Sequence, residues 1–223
     1  MKQFFKTLCL MVGLFFLTQI PSLFIGGVLA YNQILEKVQF NLIQTAGVTF
    51  IFLITGAFVV EIAQKRAVFS PLSGEKTKSI WLIFIIAYAI IMMGNGLSTW
   101  VLSLEGQTDT VNQAGLNDLM TMLPIPLFFV MVVIVAPITE EIIFRGFATK
   151  YLFPQKEWLG LIVGSLLFAL AHQPTNFGSA IAYGLMSGAL AYVYWRTKEI
   201  KYNIAFHAFN NLIAFMAMLF IPM

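Results

Sequence analysis

Six side chains in the second half of this chain have types and spacings that could do chemistry. Glu140, Glu141 and Arg145 lie in one short stretch, His172 follows Phe168 by four residues, and Asn211 follows His207 by four. On a helix, residues i and i+4 share a face, so Glu141 can pair with Arg145, and His207 stands beside Asn211. Glu140 is rotated about 100° from Glu141 on a 3.6-residue helix and shares a face with Phe144. His172 and His207 are the 2 histidines of the protein. A carboxylate beside a histidine in a low-dielectric pocket is a competent general base, able to take a proton from a water that attacks a carbonyl. Histidine can orient that water or protonate a leaving amine, and Asn211 with His207 can donate to a developing oxyanion. Alternatively, Glu140, His172 and His207 could bind Zn²⁺, which would itself activate water. Serine or cysteine nucleophile chemistry has less support. No Gly-x-Ser-x-Gly elbow occurs, and the single cysteine, Cys9, is remote in sequence from the other groups.

The elements that must hold these groups follow from composition. The chain has 223 residues, 59% hydrophobic and 10% charged, with mean hydropathy +0.85. A soluble domain is about 25% charged. So sparse a charge excludes a soluble enzyme, a disordered chain and a nucleic-acid binder of the basic-patch type. A spanning helix needs about 20 mostly apolar residues. The runs free of Lys, Arg, Asp and Glu are 7–35, 38–60, 79–104, 119–139, 158–195 and 202–223. The fifth is long enough for two helices, joined at Gln173-Pro174-Thr175-Asn176. The expected fold is therefore all-α: a polytopic bundle of about seven transmembrane helices.

Basic residues set its orientation. Lys2, Lys6, Lys65, Arg66, Lys76, Lys78, Arg145, Lys150, Lys156, Arg196, Lys198 and Lys201 all fall on one side, and only Lys37 falls on the other. The positive side is cytoplasmic, which puts the N-terminus inside. The first apolar run exceeds the length of a signal-peptide core and reads as a span, and its cleavage would leave the motifs intact. Trp81, Trp100, Trp158 and Trp195 sit near span ends, as interfacial anchors do. The stretch 61–78, with Pro71 and Gly74, is the best linker candidate. Residues 1–118 would form spans one to three without motifs, and 119–223 the core that carries them, in one integrated membrane domain. Gly160, Gly164, Ser165, Gly184, Ser187 and Gly188 have small-xxx-small spacing, suited to close packing of spans five and six.

Ionisable groups inside a span are costly, by ~2.5–3.5 kcal/mol on insertion scales, and persist where they pair, face a cavity or work. Counted at 1.5 Å per residue from the cytoplasmic flank, His207 lies at ~9 Å, Glu140 and Asn211 at ~15 Å, and His172 at ~21 Å. These similar depths point to one shared site, biased toward the cytoplasmic half. Glu141 with Arg145 also fits a structural ion pair, Asn211 fits interhelical glue, and Asn210 reads as turned away.

The motifs resemble those of a known family. Thr139-Glu140-Glu141-Ile142-Ile143-Phe144-Arg145-Gly146 matches the Glu-Glu-x-x-x-Arg motif of the CAAX protease and bacteriocin-processing membrane proteins, the CPBP or Abi family. Phe168-Ala169-Leu170-Ala171-His172 matches its Phe-x-x-x-His motif, and His207-Ala208-Phe209-Asn210-Asn211 its His-x-x-x-Asn/Asp motif. The three occur in family order over roughly residues 120–220. The resemblance implies an intramembrane endopeptidase acting on a membrane-embedded or lipid-modified peptide or protein, in a bacterial plasma membrane. It implies Glu140 as base, Glu141 with Arg145 holding it, His172 supporting the water, and His207 with Asn211 as oxyanion site. Both a metalloprotease and a metal-free glutamate mechanism are argued for the family, and zinc is the cofactor the first would need. A bacteriocin-immunity or partner-binding scaffold using the same pocket is the main alternative. A proton-coupled transporter is the weaker one, since the chain lacks paired half-repeats with broken helices.

Overall fold

The computed structural model describes residues 2–37, 39–75 and 79–220. Lys76 and Lys78, used above for orientation, and the last three residues of the final apolar run lie outside the described residues. The described chain is helical throughout: α1 Lys2–Ile34, α2 Leu42–Lys65, α3 Ile80–Leu104, α4 Val111–Met122, α5 Ile125–Leu152, α6 Glu157–Ala171, α7 Phe177–Thr197 and α8 Ile200–Phe220. Among the described residues, α1, α2, α3, α5 and α8 are long and apolar enough to cross a membrane. The 15-residue α6 and the more polar 21-residue α7 complete the seven segments that hydropathy marks. All four tryptophans are exposed near helix ends, as interfacial anchors require.

The fourth span differs from its expected bounds. The run 119–139 straddles two helices, because α4 stops at Met122 and Pro124 stands as the N-cap of α5. A proline lacks the N–H that a continuing helix needs, so the chain restarts there. From there α5 runs on to Leu152, so Glu140, Glu141 and Arg145 sit in its middle rather than at a span end. Two stretches of α5, Val130–Val135 and Ile142–Leu152, are wound as π-helix. Pro137 explains the first. It offers no N–H to the preceding turn, and a wider winding accommodates its ring.

The two ends of the bundle are built differently. Toward the basic loops, α1, α2, α3, α5, α7 and α8 share one core with Met11, Val59, Ile83, Phe147, Leu190 and Phe206. Toward the other side, a second core joins Ile25, Phe52, Leu127, Phe128 and Phe215. The first helix belongs to this packing. Thr7 donates to the Tyr151 carbonyl at 3.3 Å, and the rings of Phe15 and Phe144 meet at 6.0 Å.

The expected linker is a docked segment. Val68 and Leu72 are buried, Leu72 N–H donates to the Lys198 carbonyl at 2.8 Å, and Tyr151 and Lys150 donate to the backbone at Arg66 and Ser70. A Cβ on Gly146 would lie 2.3 Å from a Val68 methyl, so this glycine is where the segment seats on α5. Of the small residues, Ser165 and Ser187 join α6 to α7 as expected, whereas the glycines are used otherwise. Gly160 and Gly164 face α5, where a Cβ on Gly164 would lie 1.8 Å from the Phe144 carbonyl oxygen, while Gly184 and Gly188 face open space. Close approach of α6 to the π-wound part of α5 is what these two glycines permit. At the end away from the basic loops, the Glu105 carboxylate accepts from the N–H groups of Phe177 (3.0 Å) and Gly178 (3.2 Å), capping α7 at its positive end.

Candidate active site

Glu141 is the most enclosed carboxylate of the site. It is fully buried and accepts from three donors: Arg145 Nη1 at 3.2 Å, His207 Nδ1 at 2.8 Å and the Asn203 amide. An ionised carboxylate has about four acceptor positions. With three filled by protein and no exposure to water, Glu141 holds other groups in place.

Arg145 ties three helices together. Its Nη2 donates to the Ser187 carbonyl at 3.1 Å and to Ser187 Oγ at 2.8 Å, and its guanidinium lies 4.3 Å from the centre of the Phe168 ring. Ser187 Oγ donates in turn to the Ser165 carbonyl at 2.9 Å. The planar fork of arginine suits this multipoint seat.

The two histidines are held alike. His207 gives Nδ1–H to Glu141, and His172 gives Nδ1–H to the Phe168 carbonyl at 2.8 Å. These partners only accept, which places a proton on Nδ1 of each ring and turns Nε2 away from them. Phe168 is the common packing piece. Its ring lies 4.4 Å from His172, 5.7 Å from His207 and 5.8 Å from Phe144. Tyr183 stacks on the other side of His172 at 4.7 Å, and its hydroxyl pairs with Thr110 at 2.7 Å.

Glu140 is placed differently from its neighbour. Its side chain is 27% exposed, and its Oε2 stands 3.9 Å from His207 Nε2. Glu140, His172, His207 and Asn211 line one cavity of about 440 Å³. Glu141 and Arg145 lie behind its wall. Asn211 donates to the Val132 carbonyl at 2.9 Å. That carbonyl is one the π-turn cannot satisfy: the Ala136 N–H goes to Met131, and the next residue is Pro137. Asn211 therefore supplies a bond the backbone lacks and pins α8 to α5.

All six sequence-derived residues thus converge on one layer, four on the cavity and two supporting it. Asn210, read as turned away, also lines the cavity. The zinc set does not assemble. Among the described residues, no three His, Cys, Asp or Glu side chains come together to hold a metal ion, so Glu140, His172 and His207 do not fit one as placed.

Three residues of the site escaped sequence reading: Asn203, Ser187 and Tyr183. Asn203 had a usable signal, since it precedes His207 by the same four residues that separate His207 from Asn211. Asn203→Ala is expected to cost about 1–3 kcal/mol by leaving a buried carboxylate oxygen without its donor. Thermal unfolding in detergent measures it, and a melting temperature equal to that of the parent chain would refute the role.

Comparison with known proteins places the chain among relatives. Residues 122–213 match the family model described as type II CAAX prenyl endopeptidase Rce1-like. The UPF0177 protein YvdC of Lactococcus lactis subsp. lactis (strain IL1403) is 28% identical over 200 residues, spanning 89% of this chain and 73% of that protein. The UPF0177 protein YbdI of the same strain is 30% identical over 166 residues, spanning 73% of this chain and 90% of that protein. No solved structure matches. With its three motifs assembled into one layer of a multi-pass helical membrane protein, the chain belongs to the CPBP (Abi) family.

Proposed function

We propose that the chain is an intramembrane endopeptidase of a bacterial plasma membrane that hydrolyses a peptide bond with water activated by Glu140. The observation that carries this reading is the 3.9 Å separation of Glu140 Oε2 and His207 Nε2 on a shared cavity, with His207 fixed from behind by Glu141. Two acceptors that far apart can share one water. Glu140 takes a proton as the water oxygen bonds to the substrate carbonyl carbon. His172, stacked between Phe168 and Tyr183, lines the same cavity and fixes the position of the water by packing, since Glu140 and His207 Nε2 take both of its O–H groups. The second N–H of Asn211 is a donor for the developing oxyanion. The C–N bond then breaks, and the amine leaves with a proton returned through Glu140 and His207 Nε2. Glu141 keeps the imidazole in the Nδ1–H tautomer throughout, as the carboxylate of a hydrolytic triad does.

The test is turnover by the purified protein on a panel of peptides, including one with a prenylated C-terminus. Cleavage of at least one member is expected, with new amine and carboxylate ends identified by mass. A panel that stays intact with the parent chain overturns the reading.

A further inference from the structure

The catalytic cavity is one-sided. Every residue that lines it lies at the Glu140–His207 layer or outward of it. On α3 the wall is Asn95, Ser98 and Thr99, in the half that leads to Leu104. On α8 it is Asn210, Ala214 and Met218, beyond His207. The mouth is formed by Thr108 and Asp109, both exposed, just before α4.

Inward of the layer the molecule is solid. Phe147, Tyr194 and Phe206 are fully buried, and the docked segment with Val68 and Leu72 covers that end. The seam between α3 and α8 is closed there by ring pairs, Phe84 with Phe206 at 5.0 Å and Tyr88 with Phe209 at 6.2 Å. In the outer half the same two helices turn amides and hydroxyls to the cavity instead. The basic loops mark the closed end as cytoplasmic.

We propose that the substrate is an extended internal stretch of polypeptide presented on the extracytoplasmic side, reaching Glu140 through the cleft between the outer halves of α3 and α8. The proposal rests on Glu140 as the base and adds where the substrate comes from. The lining chemistry sets its class. The side chains of Asn95, Thr99 and Asn210 line the cavity and can pair with the N–H and C=O groups that an extended chain offers, while Ser98, Thr110 and Gln113 are bonded to Gly178, Tyr183 and Asn117 and shape its wall. Among the described residues, no Lys or Arg lines the cavity, and its carboxylates are Asp109 at the mouth and Glu140 at the base. A free C-terminal carboxylate would meet like charge and no cation, whereas a neutral or cationic segment would not.

Thiol labelling tests the opening without requiring turnover. In a Cys9→Ser background, Asn95→Cys and Asn210→Cys probe the cavity, Gln107→Cys marks the outer face and Ser70→Cys the inner face. A charged, membrane-impermeant maleimide added to intact cells is expected to label both cavity thiols and the outer marker roughly tenfold faster than the inner marker, because only a water-exposed thiol ionises to react. Inside-out vesicles are expected to reverse that order. Labelling of the cavity thiols from the inside alone, or no labelling of them while Gln107→Cys reacts, overturns the proposal. So does labelling of Gln107→Cys from the inside. Labelling from outside together with full turnover by Glu140→Gln would sink the catalytic reading while leaving the sidedness in place. The opposite pair of results would do the reverse.

Discussion

Glu140→Gln is expected to lower turnover by about three orders of magnitude while leaving the fold intact, since general-base contributions run from about 10² to 10⁴. The substitution keeps the shape and removes the ability to take a proton. Among the described residues, no hydrogen bond of the fold ends on the Glu140 carboxylate, and His207 Nε2 stands 3.9 Å away. Its melting temperature should therefore match that of the parent chain, with a stability change within about 0.5 kcal/mol. Measured together, kcat and the melting curve separate a lost base from a lost fold. Retained turnover in this variant would remove Glu140 from the mechanism.

Adjacent carboxylates with unlike roles show how far the sequence could be read. Composition and charge sorting suffice for a helical membrane bundle, because lipid leaves the backbone few other solutions. Spacing of four suffices to place His207 with Asn211 and Glu141 with Arg145. What spacing does not carry is which faces of different helices meet. Ser187 is one small residue on a helix rich in them, and it gains its role only when the Arg145 fork reaches it. The value of Asn211 depends on Pro137 leaving the Val132 carbonyl without a donor, a consequence of two helices far apart in sequence. Depth counted from the flanks put the site near the middle of the bilayer. The cavity's exit, however, depends on α3, which contributes no motif.

The layer behind the cavity should be worth more to stability than any single group in it. Arg145→Met is expected to destabilise the protein by about 3–5 kcal/mol, the range seen when one partner of a buried ion pair is removed. Glu141 would keep its charge at full burial, with His207 and Asn203 as its remaining donors. The Ser187 carbonyl and hydroxyl would lose their Arg145 donor as well. Arg145→Lys should recover only part of the loss. An ammonium supplies the charge but not the two-pronged geometry that spans Glu141 and Ser187 over the Phe168 ring. The double variant Glu141→Gln with Arg145→Met should be less destabilised than the sum of its single changes, because it no longer strands a buried charge. Its turnover should stay low all the same. A glutamine at 141 can present either its oxygen or its amide to the imidazole, so the His207 tautomer is no longer fixed. Thermal unfolding of the four proteins in one detergent gives the coupling, and strict additivity would mean that Glu141 and Arg145 do not act as a pair.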